Sequence, residues 1–590
     1  MNRRRPDRND LRINRFQALV VIVALVFVGR LVQVQLFQAE AINQVSQASR
    51  TVPHVIPAIR GRILDSTGQV LAKTVLKYDI NVAPVNVGPV TKVVDGTKTT
   101  IPVDQIAAQL AGILGMTQAE VLAKITGTTQ YANLKRGVPV EVYAQIKALK
   151  IDWVYFDAVP ARVYPSGALA GNLLGFLTTD GTPMGGIESM ANKCLAGVNG
   201  KETYEKGNDG IKIPSSVVTT TQAVNGHDVQ LTINADLQYY AQQVLTQNWS
   251  SLKADWATAV VIEVKTGRIL VAADAPSMDP NNPSATPVAD RNERVFTSQF
   301  EPGSVIKALT AATLIDTGKG TPEMRVVAPF GWVIPGTNGY KVTDSHVHGN
   351  DKLTLTGVLR DSSNTGIMKL GQNVDFQTRY DYLKKFGAGK KTAIHFPGET
   401  GGLVLPSSQW DQVKKYVSMF GQGFSVSPIQ SAMMYQTIAN QGVLLPAKLI
   451  EGCADSSGNI QKSGTEAGSR VLSTGSSKTV IDMLEKVVEQ GGIGRHAAVP
   501  GYRVAGKTGT AQIIDPATGR YGYLHAISFI GMAPAEDPQY VVAVTAFKSR
   551  TVSNSIGATP VFKAIMQQVL RAYRVTPSTT KSANIPTEWK

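Results

Sequence analysis

The sequence predicts a multidomain α+β protein. It should have a single N-terminal transmembrane helix, a loop-rich α+β domain, and a larger C-terminal α+β domain with one antiparallel sheet and helices on both sides. Three observations predict this. The chain has 590 residues, too many for one compact core. An apolar run follows an arginine-rich start, and strand-period segments flank a long helix-rich middle. Hydrophobic residues make up 43% and charged residues 17% of the chain, so order rather than disorder is the default.

The first element is the anchor. Residues 1–15 carry Arg3, Arg4, Arg5, Arg8, Arg12 and Arg15 against Asp7 and Asp10, and an apolar run from Ala18 to Gly29 follows. Leu31, Val32, Val34, Leu36 and Phe37 extend that run if Arg30 snorkels, so the pattern predicts a helix from Phe16 to Phe37. Ala39-Glu40-Ala41 has the small-x-small form of a signal-peptidase site, but it lies too far beyond the apolar run for a usual cleavage region. An uncleaved anchor fits better. Arginines before the helix keep residues 1–15 in the cytoplasm and place the rest outside.

The net charge of +15 favours anionic partners. No basic helix or aromatic-basic module accompanies it, so a nucleic-acid partner is not expected and an anionic envelope polymer suits better. Two cysteines, Cys194 and Cys453, exclude a disulfide framework and any multi-cysteine metal site. They fall in different predicted domains, so a bond between them is not expected. Seven histidines without His-Glu-x-x-His spacing give a metal no support.

Residues 38–222 form the loop-rich domain. Ile59 to Leu71 reads as strand, turn, strand, with Asp65 and Gly68 at turn positions, and helical patterns occur near Val103–Gly115 and Thr117–Ile125. Residues 223–575 form the second domain. Val229–Ile233 alternates as a strand, Asn234-Ala235-Asp236 opens a capped helix, and Ala259–Val271 reads as a hairpin turning at Lys265-Thr266-Gly267. Strands return near Val504–Ala511, Ala526–Met532 and Tyr540–Thr545. Residues 576–590, polar with Pro577 and Pro586, read as a tail.

Chemistry enters at Glu301-Pro302-Gly303-Ser304-Val305-Ile306-Lys307, which opens a helix. Spacing of i, i+3 sets the Lys307 amine beside the Ser304 hydroxyl. Serine is a weak nucleophile at neutral pH, and a lysine becomes its base if burial or a second cation leaves the amine neutral. Ser250-x-x-Lys253 and Ser578-x-x-Lys581 match the same spacing, so the pair alone decides little. Ser362-Ser363-Asn364 and Lys507-Thr508-Gly509-Thr510 follow in order. Together they complete the Ser-x-x-Lys, Ser-x-Asn, Lys-Thr-Gly set of penicillin-binding proteins and class A β-lactamases. Ser363 stands where that set has Asp. The decoys fail on context: Lys265-Thr266-Gly267 precedes Ser304, Lys462-Ser463-Gly464 is followed by no apolar strand, and Ser457-Gly458-Asn459 and Ser582-Ala583-Asn584 lie in a loop and in the tail.

The chain as a whole resembles the class B penicillin-binding proteins, membrane-anchored peptidoglycan D,D-transpeptidases. Arg60-Gly61-Arg62-Ile63-Leu64-Asp65 and Gly185-Gly186-Ile187-Glu188 are similar to segments of that family's N-terminal pedestal. Gly421-Gln422-Gly423 and Gly557-Ala558-Thr559-Pro560 are similar to segments of its transpeptidase domain. The resemblance implies a pedestal of the dimerisation type over residues 38–222 and a penicillin-binding transpeptidase domain over residues 223–575.

It also implies residue roles. Ser304 attacks the penultimate carbonyl of a stem peptide ending in D-Ala-D-Ala, and Lys307, held neutral by Lys507 and burial, takes the proton. Ser362 relays a proton to the departing D-Ala, and Asn364 holds Lys307 and the substrate backbone. Lys507, Thr508 and Thr510 receive the terminal carboxylate, or that of a β-lactam. Gly509 leaves the strand edge open, and the backbone N–H groups of Ser304 and Thr510 form the oxyanion hole. No cofactor or metal is required.

The implied setting is the bacterial cell membrane, with β-lactams as covalent inhibitors and a polytopic membrane glycan polymerase and other division proteins as partners. A compact pedestal leans toward septal division over elongation. A β-lactamase is disfavoured because no Glu-x-x-Leu-Asn segment lies between Ser362 and Lys507; Glu399, followed by Thr400-Gly401-Gly402, is a poor substitute. A D,D-carboxypeptidase fits the pedestal and anchor less well, and a β-lactam sensor usually carries more membrane segments or a signalling domain.

Overall fold

Trp256–Glu263 is a run of Ala, Thr, Val and Ile buried at every position but its last, as expected of a strand covered on both faces. In the computed structural model it is β1 of a five-stranded antiparallel sheet with β2 (Ile269–Ala275), β3 (Ala505–Asp515), β4 (Arg520–Ala533) and β5 (Tyr540–Ser549). The spatial order is β2-β1-β5-β4-β3, which leaves β3 at an edge. The structure describes residues 8–94, 97–205, 214–462, 464, 467–515 and 517–590. Arg3, Arg4 and Arg5 of the expected cytoplasmic tail lie outside the described residues, as does Ser463 of one decoy.

Helices cover the sheet. α1 (Ala235–Leu252), capped by the Asn234 side chain as its sequence predicts, packs with α7 (Thr559–Ala572) and against the sheet. α5 (Pro428–Ala439) is buried along its whole length and packs on β1, β4 and β5. Its capping box of Ser427 and Gln430, with Pro428 in the first turn, fixes where it starts. α2 (Lys307–Asp316), α3 (Leu355–Asp361), α4 (Asn364–Gly371) and α6 (Thr474–Val488) complete the helical layer that carries the motifs.

The chain divides into two compact units, each made of several chain segments. One comprises residues 1–59, 76–159 and 197–225; the other comprises 60–75, 160–196 and 226–590. In the first, the helices Val103–Leu114 and Gln118–Ile125 form as expected, the second opened by a Thr117–Glu120 capping box, around a core that includes Leu110, Val121 and Trp153. The apolar span Leu11–Phe37, with mean hydropathy 2.3, is long enough to cross a membrane, and its Arg30 turns to Gln33.

In the second unit Glu188 is fully buried and clamped by Arg60 Nε (2.6 Å) and Arg162 Nε (2.7 Å). The Arg60-Gly61 and Gly186-Ile187-Glu188 segments therefore serve the fold. Gly61 is glycine for a steric reason, since a Cβ there would lie 1.9 Å from the His227 carbonyl oxygen.

The expectation that Cys194 and Cys453 stay apart is corrected: they form a disulfide with Cα atoms 6.2 Å apart. A linear boundary at residue 222 separates them, but the chain returns residues 160–196 to the unit that holds Cys453.

Candidate active site

Ser304 sits half-buried in a 3₁₀ turn, Gly303–Ile306, that leads into α2. Its backbone N–H lies in the first turn, where no intrahelical acceptor exists. Gly303 has φ 62°, and a Cβ there would fall 2.8 Å from the Thr510 carbonyl oxygen of β3. Gly303 N donates to Gly421 O (3.0 Å), and Gly421, with φ 86°, leaves no room for a side chain. Gly509 belongs to the same close approach: a Cβ there would meet Ser528 Oγ, Val305 and the Pro302 carbonyl. Its bareness thus lets the serine turn seat against β3, which differs from the expected role of freeing the strand edge.

Lys307 and Lys507 are both fully buried, and their amines converge on one hydroxyl. Lys307 Nζ donates to Ser362 Oγ (3.1 Å), Asn364 Oδ1 (2.7 Å) and the Ser362 carbonyl. Lys507 Nζ donates to Ser362 Oγ (2.8 Å), Thr508 Oγ1 (3.1 Å) and Thr508 O (3.2 Å). Among the described residues, Ser304 Oγ makes no side-chain hydrogen bond. The i, i+3 spacing puts Ser304 and Lys307 on one turn, but three oxygens of Ser362 and Asn364 already surround the Lys307 amine.

Burial pushes Lys307 down to about 7, opposed by the Asp344 carboxylate. Burial also holds Lys507 well below the usual lysine range, the Lys307 charge adds to this, and Asp361 opposes it. The expected mutual repulsion therefore falls on Lys507, while Lys307 is lowered by desolvation. Two amines sharing one hydroxyl in a dry site do not both stay charged at neutral pH.

The Ser-x-Asn segment is shaped by its backbone. Ser362 ends α3 in the left-handed region (φ 59°), which turns both its carbonyl and its hydroxyl toward Lys307. Ser363 points the other way, accepting from Gly366 N (2.9 Å) as the cap of α4 and donating to Asp344 Oδ2 (2.6 Å). An aspartate in that middle position would face the Asp344 carboxylate, so serine suits this chain. Asp344 also accepts from Asn364 N (2.5 Å) and Thr365 N (3.0 Å) and contacts His348 Nε2 (3.0 Å). Sequence reasoning missed Asp344; it is a single loop carboxylate after the strand Lys341–Thr343, with no motif around it.

Two further residues find explanations. Glu301 accepts from Gly423 N (2.8 Å) and Tyr521 OH (2.9 Å), tying the serine turn to its supports. Glu399 is buried and spends its carboxylate on Thr392 N (2.7 Å) and Phe396 N (3.2 Å), so it clasps its own loop. Among the described residues, no group of three or more His, Cys, Asp or Glu is placed to hold a metal ion.

Burying two lysines against each other costs free energy that packing alone does not demand, which marks the arrangement as a candidate active site. On a helix-covered antiparallel sheet with the serine turn at its edge, that arrangement defines a penicillin-binding transpeptidase domain. Known proteins agree: the penicillin-binding protein transpeptidase domain family matches residues 257–567, and the penicillin-binding protein dimerisation domain family matches residues 55–231. "Penicillin-binding protein PbpB" of Mycolicibacterium smegmatis is 34% identical, covering 95% of this chain and 89% of its own. "Peptidoglycan D,D-transpeptidase FtsI" of Escherichia coli K12 is 30% identical, covering 97% and 95%. A crystal structure of a peptidoglycan synthetase from Bifidobacterium adolescentis superposes with a TM-score of 0.71 at 30% identity, over 92% of this chain and all of that one. Penicillin-binding protein 3 of Mycobacterium tuberculosis complexed with ampicillin gives 0.69 at 28%, over 91% and all of that one. The chain belongs to the class B penicillin-binding proteins, of the division type.

Proposed function

We propose that this protein is a peptidoglycan D,D-transpeptidase of cell division that cross-links stem peptides through an acyl-enzyme on Ser304. Ser304 Oγ attacks the carbonyl carbon of the penultimate D-Ala as its proton passes to neutral Lys307. Backbone N–H groups of Ser304 and Thr510 hold the oxyanion. The C–N bond to the terminal D-Ala then breaks, with the proton delivered to that amine through Ser362 Oγ, and an ester remains on Ser304. An amine of a second stem peptide attacks the ester, forms the cross-link and returns the proton to Ser304.

Lys507, Thr508 and Thr510 receive the terminal carboxylate. That anion raises the proton affinity of Lys507 and so opposes the lowering that burial imposes. β3, an edge strand, offers its free side to the extended peptide. β-Lactams, which place a carboxylate and a strained amide in the same positions, acylate Ser304.

The observation that carries this reading is Ser362 Oγ held by both buried lysines beside the Ser304 turn. The apolar span near the N-terminus anchors the protein in the bacterial membrane with residues 1–15 inside and the catalytic unit outside. The remaining organisation follows the family: a pedestal over 38–222, the catalytic domain over 223–575, and a polytopic glycan polymerase with other division proteins as partners. Intact-mass spectrometry after benzylpenicillin treatment tests the chemistry. A stable adduct that maps to Ser304 and vanishes in Ser304→Ala is expected, and an adduct that persists in that variant removes Ser304 from the mechanism.

A further inference from the structure

The polar C-terminal residues, read from composition as a tail, lie along the catalytic unit. Among their contacts are several to the two elements that bring Ser362 and Lys507 together. On one side Tyr502 OH donates to Val575 O (2.6 Å), Ser578 N donates to Gly501 O (2.9 Å), and Arg503 N donates to Ser578 Oγ (2.9 Å). Arg503 Nη1 also reaches Thr580 Oγ1 (2.8 Å). These residues immediately precede β3, the strand of Lys507 and Thr508.

On the other side the chain presses on α3. Thr354 N donates to Thr587 O (3.0 Å), and the Thr354 hydroxyl donates to Pro586 O (2.7 Å). That hydroxyl is the α3 cap, accepting from Gly357 N (3.0 Å), so Pro586 fixes the direction in which it caps. A Cβ on Gly357 would lie 1.8 Å from Thr587 O; this first turn of α3 is glycine because the C-terminal segment crosses it. Trp589 anchors the end: its N–H donates to Lys352 O (3.1 Å) and its Nε1 to Leu353 O (3.1 Å), with Arg325 and Lys352 over its ring.

The other end of α3 is reached as well. Arg360 donates to Thr587 Oγ1 (2.5 Å) and Glu588 Oε1 (2.7 Å) while it grips Asp361 through Nε and Nη2 (2.7 Å each). The next residue is Ser362. A non-glycine residue in the left-handed region holds its place only where its surroundings over-determine it. Ser362 has its hydroxyl and carbonyl on Lys307, so a small rotation of α3 misaims both.

We propose that residues 576–589 are a positioning strap for acylation: they bind the approach to β3 at one end and α3 at the other, holding Ser362 between Lys307 and Lys507. Thr587, Glu588 and Trp589 are positioning residues, acting through Arg360 and α3. The proposal rests on the acyl-transfer reading above. The charged group bearing on Lys307 is Asp344, and those bearing on Lys507 are Lys307 and Asp361.

The test uses the full chain in detergent and follows acylation by a chromogenic cephalosporin, with initial binding separated from the covalent step, across pH. Removing residues 586–590 is expected to slow the covalent step by about ten- to a hundred-fold while binding changes far less. The acid limb of the profile should move to higher pH as water reaches Lys307, and a synthetic peptide of residues 576–590 added in trans should restore the rate. Truncation also removes packing that serves the fold, so Thr587→Val with Glu588→Gln, which leaves Trp589 in place, is measured beside it. This pair should slow the covalent step by about two- to five-fold with an unchanged melting temperature. Trp589→Phe should retain more rate than Trp589→Ala. A folded double variant with wild-type rate and pH profile overturns the strap. So does a truncated chain whose slower rate comes with an unmoved profile and no rescue. Absence of acylation in the unmodified chain overturns both the strap and the acyl-transfer reading, whereas wild-type acylation with indifferent strap variants overturns the strap alone.

Discussion

If Lys307 is the base, lowering the pH from about 8 to about 6 should slow acylation about tenfold. With the amine pushed down to about 7, its neutral fraction falls from about nine-tenths to about one-tenth over that interval. The assay is stopped-flow acylation of the full chain by a β-lactam whose carboxylate stays ionised throughout, so the reporter adds no titration of its own. Asp344→Asn gives the sign. The Asp344 carboxylate favours the charged Lys307, so its removal should move the acid limb to lower pH and raise the rate at about pH 6 relative to the plateau. The amide still has an oxygen for Asn364 N and Thr365 N, which limits damage to the α4 start. A flat profile across the interval, or a limb that moves upward in Asp344→Asn, would refute Lys307 as the base.

The other outcomes are structural. Gly303→Ala should lower acylation by about a hundredfold, because φ 62° and the Thr510 carbonyl at 2.8 Å leave no place for a Cβ beside Ser304, the proposed nucleophile; penicillin labelling reads it. Glu188→Ala should destabilise by about 3–5 kcal/mol, leaving Arg60 and Arg162 buried without their carboxylate, and denaturant unfolding measures it. Reducing the Cys194–Cys453 bond opens a loop of sequence separation 259, so the melting temperature should fall for a loss of up to about 5 kcal/mol while Ser304 labelling persists. Lys307→Met should abolish acylation yet raise stability. The folded-state affinity of Lys307 for its proton is depressed, so the unfolded chain binds more protons between about pH 7 and about pH 10, and burial costs on the order of 4–5 kcal/mol at neutral pH. That penalty fades as pH rises through the window, so the gain over wild type should shrink in mildly alkaline buffer.

The clustering of the candidate residues was legible because the three motifs occur in a fixed order. Lys307, Ser362, Asn364, Lys507 and Thr508 meet in one hydrogen-bonded cluster. The sheet was legible for a different reason: its strands are continuous apolar runs, buried on both faces, between turn residues such as Gly267. What the sequence hid depends on where the chain returns. Residues 160–196 carry no mark that they pack with a strand some 250 positions later, so the cysteine pairing was invisible. Asp344 works through geometry, its two oxygens serving Ser363, Asn364 and Thr365 at once, and no spacing announces that.

The C-terminal residues were hidden by their own chemistry. Composition counts side chains, and a segment rich in Ser, Thr, Pro and Lys reads as solvated. Here two of the docking groups are backbone carbonyls, those of Pro586 and Thr587, received by Thr354 and by the bare face of Gly357. Apolar area comes from Trp589 and from Ile585, which packs against the core. Such contacts are individually weak, about a kcal/mol each, but they bear on a helix whose last turn forces Ser362 into the left-handed region. Two buried amines repel, one hydroxyl reconciles them, and that hydroxyl is only as well placed as the helix that ends in it. A site of this kind depends on support from residues distant in sequence, because the charges that make it reactive also push it apart.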